Sequence, residues 1–100
     1  MTLEVGKVYT FKFNSGEEMI AKLQAECVGN YIEISDPVSV APGPQGMGLV
    51  PSLFTGDPKQ SVTVNTNSIA MYTETDDSVR AKYTEATTGI KVPDKKIIMG

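Results

Sequence analysis

Lys7–Asp36 reads KVYTFKFNSGEEMIAKLQAECVGNYIEISD, and its apolar residues recur at every second position. In Lys7–Phe13, Tyr9, Phe11 and Phe13 fall on one side, and Val8, Thr10 and Lys12 on the other. Successive side chains of a strand point to opposite faces, so this period of two predicts a half-buried strand. Asn14-Ser15-Gly16 is a turn, because Gly16 takes a positive φ without steric cost. Glu18–Cys27 alternates again, with Met19, Ala21, Leu23, Ala25 and Cys27 on one face and mostly polar residues on the other. A helix competes for this segment, but an apolar spacing of two rather than three to four favours a strand. After the turn Val28-Gly29-Asn30, Tyr31–Ser35 is a third strand with Ile32 and Ile34 inward. Asp36-Pro37 interrupts it, and Val38-Ser39-Val40 resumes pairing at an edge or bulge.

Downstream the chain changes character. Residues 41–61, APGPQGMGLVPSLFTGDPKQS, hold four prolines and four glycines and read as a long loop. Yet the loop carries five large apolar residues, Met47, Leu49, Val50, Leu53 and Phe54. Such a segment either folds back on its own domain, packs against another subunit, or serves a separate partner or ligand. Val62–Val64 is a short strand, Asn65–Ser68 a tight turn, and Ile69–Thr73 the last strand. Asp76 or Asp77 caps a helix running to Thr88, with Val79, Tyr83 and Ala86 on one face and Gly89 at its end. Residues 90–100 form a tail, in which Ile97-Ile98-Met99 can add an edge strand. The organisation is therefore a β-domain over residues 1–75 with a C-terminal helix and tail, residues 76–100, packed on it.

Composition narrows the function. One hundred residues make one domain. No apolar run approaches the roughly 20 residues that span a bilayer, so no membrane partner is expected. MTLEVGK lacks the basic start and apolar stretch of a signal peptide. A single cysteine, Cys27, fits a reducing compartment and makes no internal disulfide. There is no histidine, which removes the commonest general base and the commonest metal ligand. No carboxylate spacing of a calcium loop and no Gly-Lys-Ser/Thr phosphate loop occurs, so neither metal nor cofactor is expected. Glu17 and Glu18 point to opposite faces of a strand, and Asp76-Asp77 suits a helix start, so neither pair reads as acid–base machinery. No enzymatic activity is expected.

The formal charge of −3 conceals an asymmetry. Residues 1–79 hold four basic residues against ten acidic ones, a balance of −6. Residues 80–100 hold five basic residues (Arg80, Lys82, Lys91, Lys95, Lys96) against two acidic ones, a balance of +3. An acidic body opposes binding of phosphate backbones over its whole surface. The basic C-terminal part is either a local phosphate contact or a solvated tail.

The pattern resembles the Sm-like (LSm) family over residues 7–73. Phe13 fills the leucine-like position of the first signature and Gly16 its glycine. Met19 and Leu23 fill the apolar positions that follow, and Ala21 stands where the family usually has a glycine. Ile32, Ile34 and Asp36 match the apolar, apolar and acidic positions of strand three without a gap. Val64, Ile69 and Tyr72 match the apolar frame of the second signature, but Asn65-Thr66 replaces its Arg-Gly. With its long central loop and C-terminal extension, the chain also resembles small Sm-like proteins of cyanobacterial myophages.

The resemblance implies a mostly β fold, a strongly bent five-stranded antiparallel sheet or small open barrel. It implies homo-oligomeric rings of about five to seven copies, and the cytoplasm of an infected bacterial host. It implies a pore that binds uracil-rich RNA through residues corresponding here to Cys27, Tyr31 and Asn65. Tyr31 either stacks a base or covers the edge of the core, and Asn65 can hydrogen-bond a base. Arg80, Lys82, Lys95 and Lys96 are the candidate phosphate contacts. Two functions follow as expectations: a ring that binds RNA or single-stranded nucleic acid, or a structural ring whose partner is protein.

Overall fold

The computed structural model describes residues 2–26 and 29–88. Cys27, Gly89, Lys91, Lys95, Lys96 and the Ile97–Met99 segment lie outside the described residues. Among the described residues there are six strands: β1 (Val8–Phe13), β2 (Glu18–Glu26), β3 (Tyr31–Gly43), β4 (Gly46–Pro51), β5 (Val62–Asn65) and β6 (Ile69–Glu74). A 3-10 turn, Thr66–Ser68, joins β5 to β6, and one helix, α1 (Asp77–Thr87), follows. All pairings are antiparallel, in the order β4-β3-β2-β1-β6, with β5 also on β3. The fold is mostly β, and the sheet is bent but not closed into a barrel, a form compatible with a bent Sm-like sheet.

The bend comes from two bulges between β2 and β3. Ile20 faces Val38 and Lys22 faces Ser35, so β3 carries one extra residue at Asp36-Pro37. Leu23 faces Ile34 and Ala25 faces Glu33, so β2 carries one extra at Gln24. A bulge bends its strand and increases the local twist. Asp36 adopts φ 50°, a left-handed conformation that a short polar side chain tolerates better than most. Beyond the bend, β3 changes partners on its outer edge, from β5 along Tyr31–Ile34 to β4 along Val38–Gly43.

The sheet buries both faces. On the inner face, Tyr9, Phe11, Met19, Ala21, Leu23, Ile32 and Ile34 form the main core, as their alternation predicts. Leu3 joins them. Its segment is held by a hydrogen bond from the Leu3 N–H to Glu26 (3.1 Å) and one from the Glu4 N–H to the Tyr9 hydroxyl (2.8 Å). Full burial of a Leu, Ile or Phe side chain contributes about 1.5–3 kcal/mol, so Phe11, Leu23 and Ile34 anchor the fold. On the outer face, Ile20 and Val38 pack beneath Tyr83 of α1, with Val8, Val40, Leu49 and Val79 around them.

The helix starts where the acidic pair predicts. The Asp76 carboxylate accepts from the Ser78 hydroxyl and from the N–H groups of Val79 and Ser78, and those bonds hold its carboxyl below the usual carboxylate range. Tyr83 is the helix's buried residue, and Val79 is half-buried beside it. Ala86, placed on the same face by spacing, is exposed, and Thr87, one turn after Tyr83, is the half-buried residue instead.

The central segment departs most from expectation. Residues 41–61 are not one loop. β3 runs on to Gly43, and β4 returns along it in a two-residue hairpin at Pro44-Gln45. Proline suits the first central position of a turn, and Gly46 supplies φ 106° just after it. Six of those eight glycines and prolines build the hairpin, and 52–61, with Gly56 and Pro58, is the irregular connection.

Candidate functional site

Tyr31 and Asn65 sit directly opposite one another, the first pair of the β3–β5 ladder. Tyr31 is 47% exposed. The Asn65 side-chain carbonyl accepts from the Asn67 N–H (2.9 Å) and thereby caps the 3-10 turn. The turn is tied on both sides. The Thr66 N–H donates to the Asn30 carbonyl (2.7 Å), and the Asn14 amide donates to the Asn67 carbonyl (3.0 Å). Tyr31 therefore presents an aromatic ring beside a rigid turn, an arrangement suited to stacking a flat base. One of Asn65's polar atoms is already used by its own turn.

The candidate cations lie elsewhere. Arg80 is on α1 and pairs with Asp77 at 2.9 Å. Lys82 borders a groove of about 580 Å³ between α1 and the β3–β4 hairpin, whose rim also carries Glu18, Glu74 and Asp76. Neither shares a hydrogen bond or ion pair with Tyr31 or Asn65. Among the described residues, no three His, Cys, Asp or Glu side chains converge as metal donors. No helix of the described residues is long and apolar enough to cross a membrane.

The apolar residues of the central segment divide. Leu49 packs against the outer-face cluster. Met47 (68% exposed), Val50, Leu53 and Phe54 (80% exposed) remain on the surface of the single chain. Within the single chain these four are at most partly covered by their own domain, and packing on another subunit or on a partner stays open for them. Leu53 also borders a second, smaller cleft of about 310 Å³ at the open mouth of the sheet, floored by Met19, Ile34, Val62 and Val64.

Sequence reasoning missed two arrangements. Ser39 hydrogen-bonds both Glu17 and Ser52, joining β3 to the start of β2 and the end of β4. The Tyr83 hydroxyl donates to the carbonyls of Ser35 (3.1 Å) and Asp36 (2.9 Å), stapling α1 onto the β3 bulge. The helical spacing pointed to Tyr83 as buried, but its partners lie 48 and 47 residues upstream. No protein-family model matches the sequence, and no curated protein matches it.

Proposed function

We propose that this chain is a ring-forming, Sm-like module in which β5 of one copy pairs with β6 of the next. The observation that carries the reading is the pair of free strand edges. β5 is paired through β3 and β6 through β1, and among the described residues no strand pairs with the outer edge of either. The two edges end opposite sides of one bent sheet, so pairing them head to tail repeats by rotation and closes a ring. Met71 (65% exposed) and Tyr72 on β6 supply apolar area beside that edge. Under this reading each copy contributes one Tyr31–Asn65 pair, and the ring presents them to single-stranded RNA or DNA. The myophage resemblance and the single cysteine support a site of action in the cytoplasm of an infected bacterium.

A second reading, a structural or protein-binding ring without nucleic acid, is favoured by specific observations. Arg80 is already paired, Asn65 is partly engaged, and residues 1–79 carry −6. Binding of the purified protein to uracil-rich and mixed RNA across a salt series separates the two. The nucleic-acid reading predicts weak binding with a steep salt dependence. Tyr31→Ala weakens it by about 1–3 kcal/mol per stacked base and leaves the salt slope nearly unchanged. No binding at low salt assigns the structural ring. Tight, salt-insensitive binding contradicts both the weak site and the missing cation.

A further inference from the structure

β4 pairs with the same outer edge of β3 as β5 does, but along Val38–Gly43 rather than Tyr31–Ile34, so among the described residues its own outer edge stays open when β5 pairs with β6. The hydrogen bond from the Ser52 N–H to the Pro37 carbonyl (3.1 Å) fixes the phase of the β3–β4 ladder. In an antiparallel ladder alternate residues turn their backbone groups to the partner. Gly46, Gly48 and Val50 therefore face β3, and Met47, Leu49 and Pro51 turn theirs outward. Pro51 has no N–H to leave unpaired, so the outward row consists of two donors, at Met47 and Leu49, and three acceptors. An open edge of this kind is a template for another strand.

Its chemistry selects the strand. From Pro37 through Gly56 the chain holds no charged residue, in a body that carries −6 over residues 1–79. Two acidic bodies repel wherever their charged surfaces meet, and this uncharged edge is a place where they meet without that cost. Edge strands usually block self-pairing with an inward charge or a lysine; β4 has neither. We propose that β4 is a second assembly surface, at which two copies of this chain pair β4 to β4 antiparallel about a two-fold axis.

Centring the pair on Leu49 fits the outward row. Leu49 exchanges two hydrogen bonds with its symmetry mate. The Met47 N–H of each copy donates to the Pro51 carbonyl of the other. The missing proline N–H then falls where only one bond per side is lost. Leu49 meets Leu49 and Met47 meets Pro51 across the axis, which extends the apolar outer-face cluster through the junction. Such an interface is isologous, whereas the β5–β6 pairing is heterologous, and the two use the edges of different strands. With both in place, two rings join; with β4 alone, the chain is a dimer.

The test uses the full chain at micromolar concentration, with native mass spectrometry and light scattering. The wild type is expected at an even number of subunits. Met47→Lys puts a charge on the edge, and Met47→Pro removes an outward donor that β3 does not use. Each is expected to halve the mass while the far-ultraviolet dichroism stays unchanged. Halving from dimer to monomer supports β4 pairing and refutes the ring; halving from a double to a single ring supports both. An odd subunit number in the wild type, or an unchanged mass in both folded variants, overturns the proposal. A measurement without mutation keeps it decidable: hydrogen exchange at the Leu49 amide is slow if that outward N–H is paired, and fast exchange overturns the pairing.

Discussion

Tyr83→Phe keeps the ring that fills the outer-face cluster and removes only the hydroxyl. Two carbonyls, those of Ser35 and Asp36, then lose their shared donor. Tyr83 is 3% exposed, so water does not replace the lost group from the helix side. Leaving a buried acceptor unsatisfied costs about 1–3 kcal/mol. Asp36 lies at the surface, so its carbonyl regains some hydration and the lower half of that range applies, about 1–2 kcal/mol. In a domain of this size each kcal/mol moves the Tm by about 4–8 °C, so the melting temperature falls by at least about 4 °C. The assay is thermal and urea unfolding at one fixed protein concentration, because assembly makes the Tm concentration-dependent.

A pH arm isolates the hydroxyl. Burial, and then the nearby Asp36 carboxylate, push the Tyr83 phenol well above its usual value of 10. The folded state therefore holds that proton more tightly than the unfolded chain, and its stabilisation is present below about pH 10 and lost as pH rises further. Wild-type stability falls above that point, and the phenylalanine variant lacks this part of the fall. Equal melting temperatures at neutral pH, within about 2 °C, refute the staple.

Asp36→Asn keeps a residue that tolerates the left-handed conformation and removes a charge. Burial raises the Asp36 carboxyl above its usual value of 3.8, against the opposing pull of Lys22. The fold is thus favoured while that group is protonated and loses the advantage as pH rises through the shifted value. The asparagine variant is expected to be more stable at neutral pH and no more stable under acid, measured by urea unfolding at both. Asp36→Ala, with no side chain to support φ 50°, costs about 1–2 kcal/mol. Asp76→Ala weakens the start of α1 at neutral pH, and its effect fades as pH falls through the range where the wild-type carboxylate protonates; helix amide exchange reads it. Replacing Leu53 and Phe54 together with serine leaves the unfolding of an isolated subunit nearly unchanged, because both are exposed there; loss of assembly assigns them to an interface.

The first three strands were legible because one face of each is buried along its length, whereas the other is covered only locally, where Tyr83 and Val79 of α1 pack on it. Tyr9, Phe11, Met19, Leu23, Ile32 and Ile34 then alternate without a break, and a slip of one residue would turn them all to solvent. β4 was hidden because Gly43, Pro44 and Gly46 mark either a loop or a hairpin turn, and its few side chains leave the pattern short. Val38, Val40, Leu49 and Met47 did carry a period of two on either side of that turn. Ile20 read as an apolar intruder on a polar face until α1 supplied its cover. At the candidate site, the facing of Tyr31 and Asn65 follows from β3–β5 pairing across 34 positions, which local pattern does not encode. The separation of Arg80 and Lys82 from that pair likewise depends on which face α1 covers.

Site-directed cross-linking reads the head-to-tail joining of β5 to β6. In a Cys27→Ser background, Thr63→Cys on β5 and Thr73→Cys on β6 place single thiols on exposed positions of the two edges. Treated with a short thiol-to-thiol cross-linker, the double variant is predicted to give a ladder that stops at a closed ring of about five to seven copies, and each single variant none. A double variant that stays monomeric, or a single variant that cross-links as a dimer, contradicts the account.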